Sequence, residues 1–382
     1  MEKIFLNEKI KCNGCSACAA VCPKNCITML PDELGFLYPQ IDENLCIDCG
    51  LCEKNCPVFN KSEIETLPKA YAVKNIDEKV RMQSSSGGAF TAVAEKILAD
   101  GGVVFGAAFT ADFKAVHHIA VYNSEDLQKL RGSKYVQSRI GNSFTMAKEE
   151  LKKGKKVLFT GTPCQIGGFL SFLQKDYHNL YTQDIICHGV PSPSVWEKYV
   201  ELREKEAGAG TSSVSFRYKN TGWATYSVQM KFQNYAEYCV INPDDPYMKG
   251  FLDNIYLRSS CYDCAFKTIR RKADITLADF WGVWGVLPEM YDDRGTSLVI
   301  ANSEKGMSLI NSIENQIKIV ETDIIEAVKL NYVAEKSVPN NPRREQFISD
   351  FQNQPFEKTL KKYCSPYWKS HLKLKIKRIL KI

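Results

Sequence analysis

KKVLFTGTPCQIGGFLSFL, residues 155–173, begins with strand-forming residues, turns over Gly161–Cys164 and resumes with helical spacing. This strand–loop–helix order is repeated in LYTQDIICHGVPSPSVWEKYVELREKE, residues 180–206, where Ser-Pro-Ser supplies a helix start. In successive βα units the strands become parallel neighbours, and ligands gather outside their carboxyl ends. Cys164 and Cys187 both stand at that end, so the pattern predicts that they converge. Upstream, KAYAVKN (69–75) and VVFGAAF (103–109) read as strands around a helix over Ala89–Ala99, stopped by Gly101-Gly102. Downstream, GTSLVIANSEKGMSLINSI (295–313) reads as strand, turn and helix. The fold class is α/β (mixed α+β).

The chain has 382 residues, of which 44% are hydrophobic and 25% charged, enough for a sizeable core in two or three domains. No apolar run reaches the roughly 18 residues of a membrane span. The start, MEKIFLNEKIKC, lacks a signal-peptide h-region, which predicts a cytoplasmic protein. The formal charge of +6 is carried by the end of the chain, where residues 361–382 hold Lys and Arg and no acid. With no basic excess on the body, a nucleic-acid partner is not expected. HLKLKIKRILKI (371–382) reads as a solvated terminus, with a membrane-surface helix as the alternative.

Fifteen cysteines in a reducing compartment argue for metal rather than disulfides. CNGCSACAAVCP and CIDCGLCEKNCP each spell C-x2-C-x2-C-x3-C-P, the bacterial ferredoxin run in which the fourth Cys serves the other cluster. One 4Fe-4S cluster then takes Cys12, Cys15, Cys18 and Cys56; the second takes Cys46, Cys49, Cys52 and Cys22. A zinc module would show two ligand pairs rather than two quartets closed by Cys-Pro. Cys26 is left over and reads as a small buried residue. The radical-SAM spacing C-x3-C-x2-C is absent from the sequence. LGFLYPQIDENL between the runs reads as a hairpin or extended spacer, and FNKSEIETLPKA after them as a polar linker to a separate body.

Further on, Cys261 and Cys264 form another C-x2-C. With Cys164 and Cys187 they make a four-thiolate set, which by spacing alone suits zinc or a cluster equally. A nucleophilic Cys164 activated by His188 is the third possibility. Two loops suit an anion: the turn Ser84, Ser85, Ser86, Gly87, Gly88, which opens a helix, and Arg131, Gly132, Ser133, Lys134. The first alone is equally an ordinary helix cap, and the second a solvated basic loop.

These segments together resemble the family of beta subunits of coenzyme F420 hydrogenases and dehydrogenases, in the form carrying a fused two-cluster ferredoxin domain; 7-hydroxymethyl chlorophyll a reductase is similar, in another branch. The resemblance lies in SSSGGAFTA, LRGSKYVQS, LFTGTPCQIGGFL, DIICHGVPSP and CYDCAFKTIRRKADITLADFWG. It implies FAD and a third 4Fe-4S cluster on Cys164, Cys187, Cys261 and Cys264, so that Cys164 is a ligand rather than a nucleophile. It also implies flavin contacts from the Ser84–Gly88 and Arg131–Lys134 loops, with Asp279–Gly282 near the flavin.

The expected organisation is a ferredoxin-like domain (1–60), a linker (61–68), a flavin-binding body in two parts (69–145 and 146–300) and a C-terminal extension (301–382). The expected function is an FAD- and 4Fe-4S-dependent oxidoreductase that exchanges electrons with ferredoxin or another redox protein and acts on a small molecule or a deazaflavin-like cofactor. Two alternatives are an electron-transfer component without its own substrate and a non-catalytic cluster-bearing interaction protein. Among His117, His118 and His188, His188 is the candidate proton donor because it follows Cys187.

Overall fold

A computed structural model describes residues 9–60 and 67–365. Most of the expected linker and the basic segment 371–382 lie outside the described residues. Among the described residues no helix is long and apolar enough to cross a membrane.

The N-terminal part is a hairpin of β1 (Ile27–Pro31) and β2 (Leu37–Ile41) with short helices at Ala17–Val21 and Leu51–Lys54. The body is built on one eight-stranded sheet. Its strands are β3 (Lys69–Asn75), β4 (Val103–Phe109), β5 (Val116–Val121), β6 (Val157–Thr160), β7 (Leu180–Ile185), β11 (Ile275–Asp279), β12 (Ser297–Ala301) and β13 (Ile317–Thr322). The spatial order is β13-β3-β12-β11-β7-β6-β4-β5. The run β4, β6, β7, β11 is parallel, as the repeated βα grammar predicts, while β5, β12, β3 and β13 add antiparallel flanks. A separate antiparallel sheet joins β8 (Thr211–Tyr218), β9 (Ser227–Phe232) and β10 (Glu237–Ile241).

The central strands are apolar on both faces because both are covered. One face buries helix Ala89–Ala99 through Ala92, Val93 and Ile97. The other buries helices Ser143–Lys152 and Pro163–Leu173 through Phe144, Phe159 and Phe169. Trp196 and Tyr199, on helix Pro193–Ala207, pack with the three-stranded sheet.

One sheet collects strands from residue 69 to residue 322, across the expected boundaries at 145/146 and 300/301, because β12 and β13 pair back onto β11 and β3. The N-terminal part packs on the body. Leu34 and Phe36, in its hairpin turn, belong to the same apolar cluster as Trp196. Ser192 Oγ donates to Leu34 O at 2.6 Å, and Gln174 Nε2 donates to Asn55 Oδ1 at 3.0 Å. A polar linker does not reveal such docking, since apolar residues buried between two parts look the same in sequence as those buried within one.

Candidate iron–sulfur and flavin site

Each ferredoxin run winds through two left-handed residues. Gly14 and Ser16 have φ of 66° and 64°, and Asp48 and Gly50 have φ of 50° and 69°. Alternating backbone handedness turns successive N–H groups inward, a nest suited to anionic sulfur. Gly14 N–H donates to Cys12 Sγ at 3.4 Å.

The cysteines line three cavities. Cys12, Cys15, Cys18 and Cys56 rim one cavity. Cys22, Cys46, Cys49 and Cys52 rim a second, with the leftover Cys26 in its wall, buried and 3.3 Å from Cys22 Sγ. Cys164, Cys187, Cys261 and Cys264 rim a third. The parallel pairing of β6 and β7 brings the first two of these together, and a loop with 3-10 turn Ser259–Cys261 supplies the others.

The chemistry of the third cavity suits thiolates around a polynuclear centre. Its wall carries Arg258, Lys267 and Arg271 and no carboxylate. Lys267 Nζ donates to Cys187 O and, at 2.8 Å, to Val333 O. Val190 N–H donates to Cys261 Sγ at 3.4 Å. Burial, and then the neighbouring thiols, push the Cys164 thiol well above its ordinary value, and Cys261 is pushed up to about 12. Burial likewise raises Cys18 to about 12 and also raises Cys15. Such thiols become thiolates only against a compensating cationic centre. Among the described residues no three His, Cys, Asp or Glu side chains close around a single ion.

Cys164 lacks the surroundings of an activated nucleophile. Its Sγ contacts Thr162 Oγ1 at 3.1 Å. His188 lines the same cavity, but its Nε2 is 2.7 Å from Asn254 Oδ1 and its ring stands edge-on to Phe251. His118 is buried between Thr160 O and Ser138 Oγ, each at 2.9 Å, and burial lowers its pKa to about 4. It is therefore a neutral structural histidine, with Nε2–H donating to the carbonyl. His117 is half-buried beside it on β5.

The two anion-loop candidates meet. Ser133 N–H donates to Ser85 Oγ at 2.7 Å, and Arg131 reaches Gln83 Oε1 at 2.7 Å and Thr91 Oγ1 at 3.1 Å. Other groups of the serine turn are used within the fold: Ser84 Oγ donates to Val80 O and Ser86 Oγ to Thr296 O, both at 2.8 Å, and Gly87 N–H donates to Ser297 Oγ at 2.9 Å. Gly87 is demanded by packing, since a Cβ there would lie 2.3 Å from Val73 O. Gly88 has φ 86° and caps the helix without a side-chain bond, and Gly132 has φ 84° in open space. Among the described residues Lys134 Nζ bonds only to the carbonyls of Leu130, Arg131 and Gly132, each at 3.1 Å, and burial lowers its pKa to about 7. A half-buried ammonium facing no carboxylate fits an anionic ligand such as a diphosphate.

Sequence reasoning missed the next ring of residues. Lys219 Nζ ties Arg81 O, Ser86 O and Arg294 O together at 2.6–2.9 Å, fixing the serine turn. Arg217 grips Asp279 with both nitrogens at 2.7 and 3.1 Å, and its guanidinium lies 3.8 Å from the Tyr226 ring. Trp281 of the Asp279–Gly282 segment stacks on Trp223 at 4.8 Å. None of these partners is adjacent in sequence. Arg258 alone carries a local signal, standing three residues before Cys261.

Comparison with known proteins identifies the family. For the coenzyme F420 hydrogenase/dehydrogenase beta subunit, the N-terminal family model matches residues 70–143 and the C-terminal one residues 154–327, while the 4Fe-4S dicluster domain matches residues 11–60. Coenzyme F420-dependent sulfite reductase of Methanocaldococcus jannaschii is 32% identical over 198 residues, 49% of this chain and 29% of that protein. One component of the F(420)H(2) dehydrogenase of Methanosarcina mazei is 24% identical over 165 residues, 40% of this chain and 46% of that protein. The chain thus spans about half or less of the length of these curated relatives. A chain of the F420-reducing [NiFe] hydrogenase complex from Methanosarcina barkeri superposes with a TM-score of 0.49 at 17% identity, over 76% of this chain and 93% of that one. The chain belongs to the family of coenzyme F420 hydrogenase/dehydrogenase beta subunits and carries a 4Fe-4S dicluster domain.

Proposed function

We propose that this member of the family of coenzyme F420 hydrogenase/dehydrogenase beta subunits is an FAD-dependent iron–sulfur oxidoreductase that joins a protein electron carrier, such as a ferredoxin, to a small organic substrate or a deazaflavin-like cofactor. The observation that carries this reading is the continuity of the three cysteine-rimmed cavities. Cys52 lines both ferredoxin cavities, and Asn13 lines both the Cys12 cavity and the body cavity.

Cys12, Cys15, Cys18 and Cys56 would hold one cluster, Cys46, Cys49, Cys52 and Cys22 the second, and Cys164, Cys187, Cys261 and Cys264 the third. A flavin supplies two-electron chemistry and a 4Fe-4S cluster one-electron chemistry. Ser85, Arg131, Gly132, Ser133 and Lys134 would hold the FAD diphosphate, with Lys219 keeping the serine turn in place. Cys49 is exposed, which makes the second ferredoxin cavity the natural face for a protein carrier. His188 is the proposed proton donor, held in orientation by Asn254.

The test is anaerobic reconstitution followed by iron counting and flavin extraction. About twelve irons per chain and one FAD are expected. About eight irons with one zinc would replace the third cluster, and absence of FAD from a fully loaded sample would remove the flavin. An electron-transfer component without its own substrate is the second reading, favoured by the chain's coverage of only part of its relatives. Turnover of a substrate panel by the single chain separates the two.

A further inference from the structure

Arg258 is 1% exposed, yet among the described residues it forms no ion pair with a carboxylate. Its Nε donates to Cys12 O at 2.7 Å, Nη2 to Leu37 O at 2.9 Å, and Nη1 to Gln137 Oε1 at 3.1 Å. Nη2 also reaches Cys12 Sγ at 3.6 Å. The guanidinium lies 4.1 Å from the Tyr38 ring. The same side chain lines the body cavity, beside Cys261. Gly14 makes room for it, since a Cβ at that position would stand 2.7 Å from Nη1. A permanent charge buried among neutral acceptors is costly unless a counter-charge lies close. Among the described residues no carboxylate lies within ion-pair distance of it, while Cys12 Sγ stands at 3.6 Å and Cys261 lines the same body cavity.

Resting on the cluster assignments above, we propose that Arg258 is the shared counter-charge of the Cys12 and body clusters, a positioning residue that raises the reduction potential of the Cys12 cluster above that of the Cys46 cluster. Reduction adds one negative charge to a cluster. A fixed positive charge donating toward a ligand sulfur therefore favours the reduced form, and burial keeps the effect from being screened. Arg258 lines neither ferredoxin cavity, but it reaches Cys12 O and Cys12 Sγ, and among the described residues it makes no hydrogen bond to the Cys46 set. Electrons that arrive at the exposed end are thus drawn inward. The structural contribution of Arg258 is distinct: through Cys12 O and Leu37 O it fastens the hairpin part to the body.

The experiment is a mediated redox titration of the reconstituted full chain, followed by magnetic resonance, for the parent, Arg258→Gln, Arg258→Lys and Gly14→Ala. In Arg258→Gln, with iron retained, the equilibrium ratio of reduced Cys12 cluster to reduced Cys46 cluster should fall about tenfold, or about 59 mV for a one-electron couple. Arg258→Lys should recover part of this. Gly14→Ala, which displaces the guanidinium without removing it, should shift in the same direction by less. Full iron with an unmoved ratio in Arg258→Gln overturns the proposal while leaving the cluster assignment intact. Loss of Cys12-cluster iron from all three variants also overturns it, making Arg258 a docking residue only. A parent chain lacking the third cluster instead defeats the underlying assignment, through its iron count and not through the ratio.

Discussion

Gly168 faces Cys15 at the contact between body and hairpin part: a Cβ on Gly168 would lie 2.8 Å from Cys15 Cβ and 2.9 Å from its Sγ. The helix Pro163–Leu173 that presents Cys164 to the body cavity therefore also packs on the hairpin part, through Gly168 at Cys15 and Gly167 at Pro57. Gly168→Ala should destabilise the loaded chain by about 1–3 kcal/mol, the usual cost of overpacking, and weaken retention of the Cys12 cluster. Gly285→Ala, at a position with open space around it, is the control. Thermal unfolding and iron content read both effects, and an unaltered Gly168→Ala would show that the two parts separate more readily than their packing indicates.

Cys164→Ala and Cys261→Ala should behave alike. Each removes one corner of the same proposed centre and should lower iron by about four per chain, leaving the ferredoxin pair. A nucleophilic Cys164 would instead keep all its iron in Cys164→Ala and lose only turnover. Iron analysis with magnetic resonance of the oxidised protein distinguishes these outcomes, including a three-cysteine cluster with one exchangeable iron.

Lys134 gives the flavin proposal a pH signature. With its pKa lowered to about 7 by burial, the ammonium is charged in the free protein below that pH and neutral above it. A bound diphosphate favours the charged form, so binding above pH 7 must take up a proton. FAD affinity should be flat below pH 7 and fall as pH rises above it, by at most about tenfold per unit for this group. Lys134→Met should weaken binding and remove that part of the slope. Titration calorimetry in buffers of different ionisation enthalpy counts the proton directly, and no uptake at pH 8 would exclude Lys134 from the phosphate site.

Arg217→Ala should be among the most damaging single changes in the body. It leaves Asp279 without its bidentate partner and retaining only the bond from Trp223 Nε1 at 2.7 Å. The expected loss is about 3 kcal/mol, with Arg217→Lys restoring some of it. Chemical denaturation of the reconstituted chain measures both, and a loss below about 1 kcal/mol would mean that Asp279 is solvated enough to stand alone.

The parts of this structure that repeat locally were legible in the sequence. Cysteine spacing pointed to a two-cluster ferredoxin domain because a tight C-x2-C-x2-C loop faces one point, and the βα grammar brought Cys164 to the same cavity as Cys187 because parallel neighbours share an end. Lys219, Arg217 and Asn13 were not legible. Each acts across a gap of many residues, and nothing beside it in sequence marks its partner. The hairpin residues Leu34 and Phe36 were opaque for a related reason: burial against a distant Trp196 leaves no periodic trace in a five-residue turn.

The shared walls also bear on how the protein is made. Residues 9–60 leave the ribosome before Gln137, Gly168 and Arg258, the groups that later meet Asn13, Cys15 and Cys12. Once the body has folded, Gly168 lies against Cys15 and Arg258 against Cys12. The order of the chain predicts that iron enters the Cys12 loop more readily in a ribosome-bound fragment ending before residue 137 than in the folded apoprotein, a difference that iron incorporation into the two would measure.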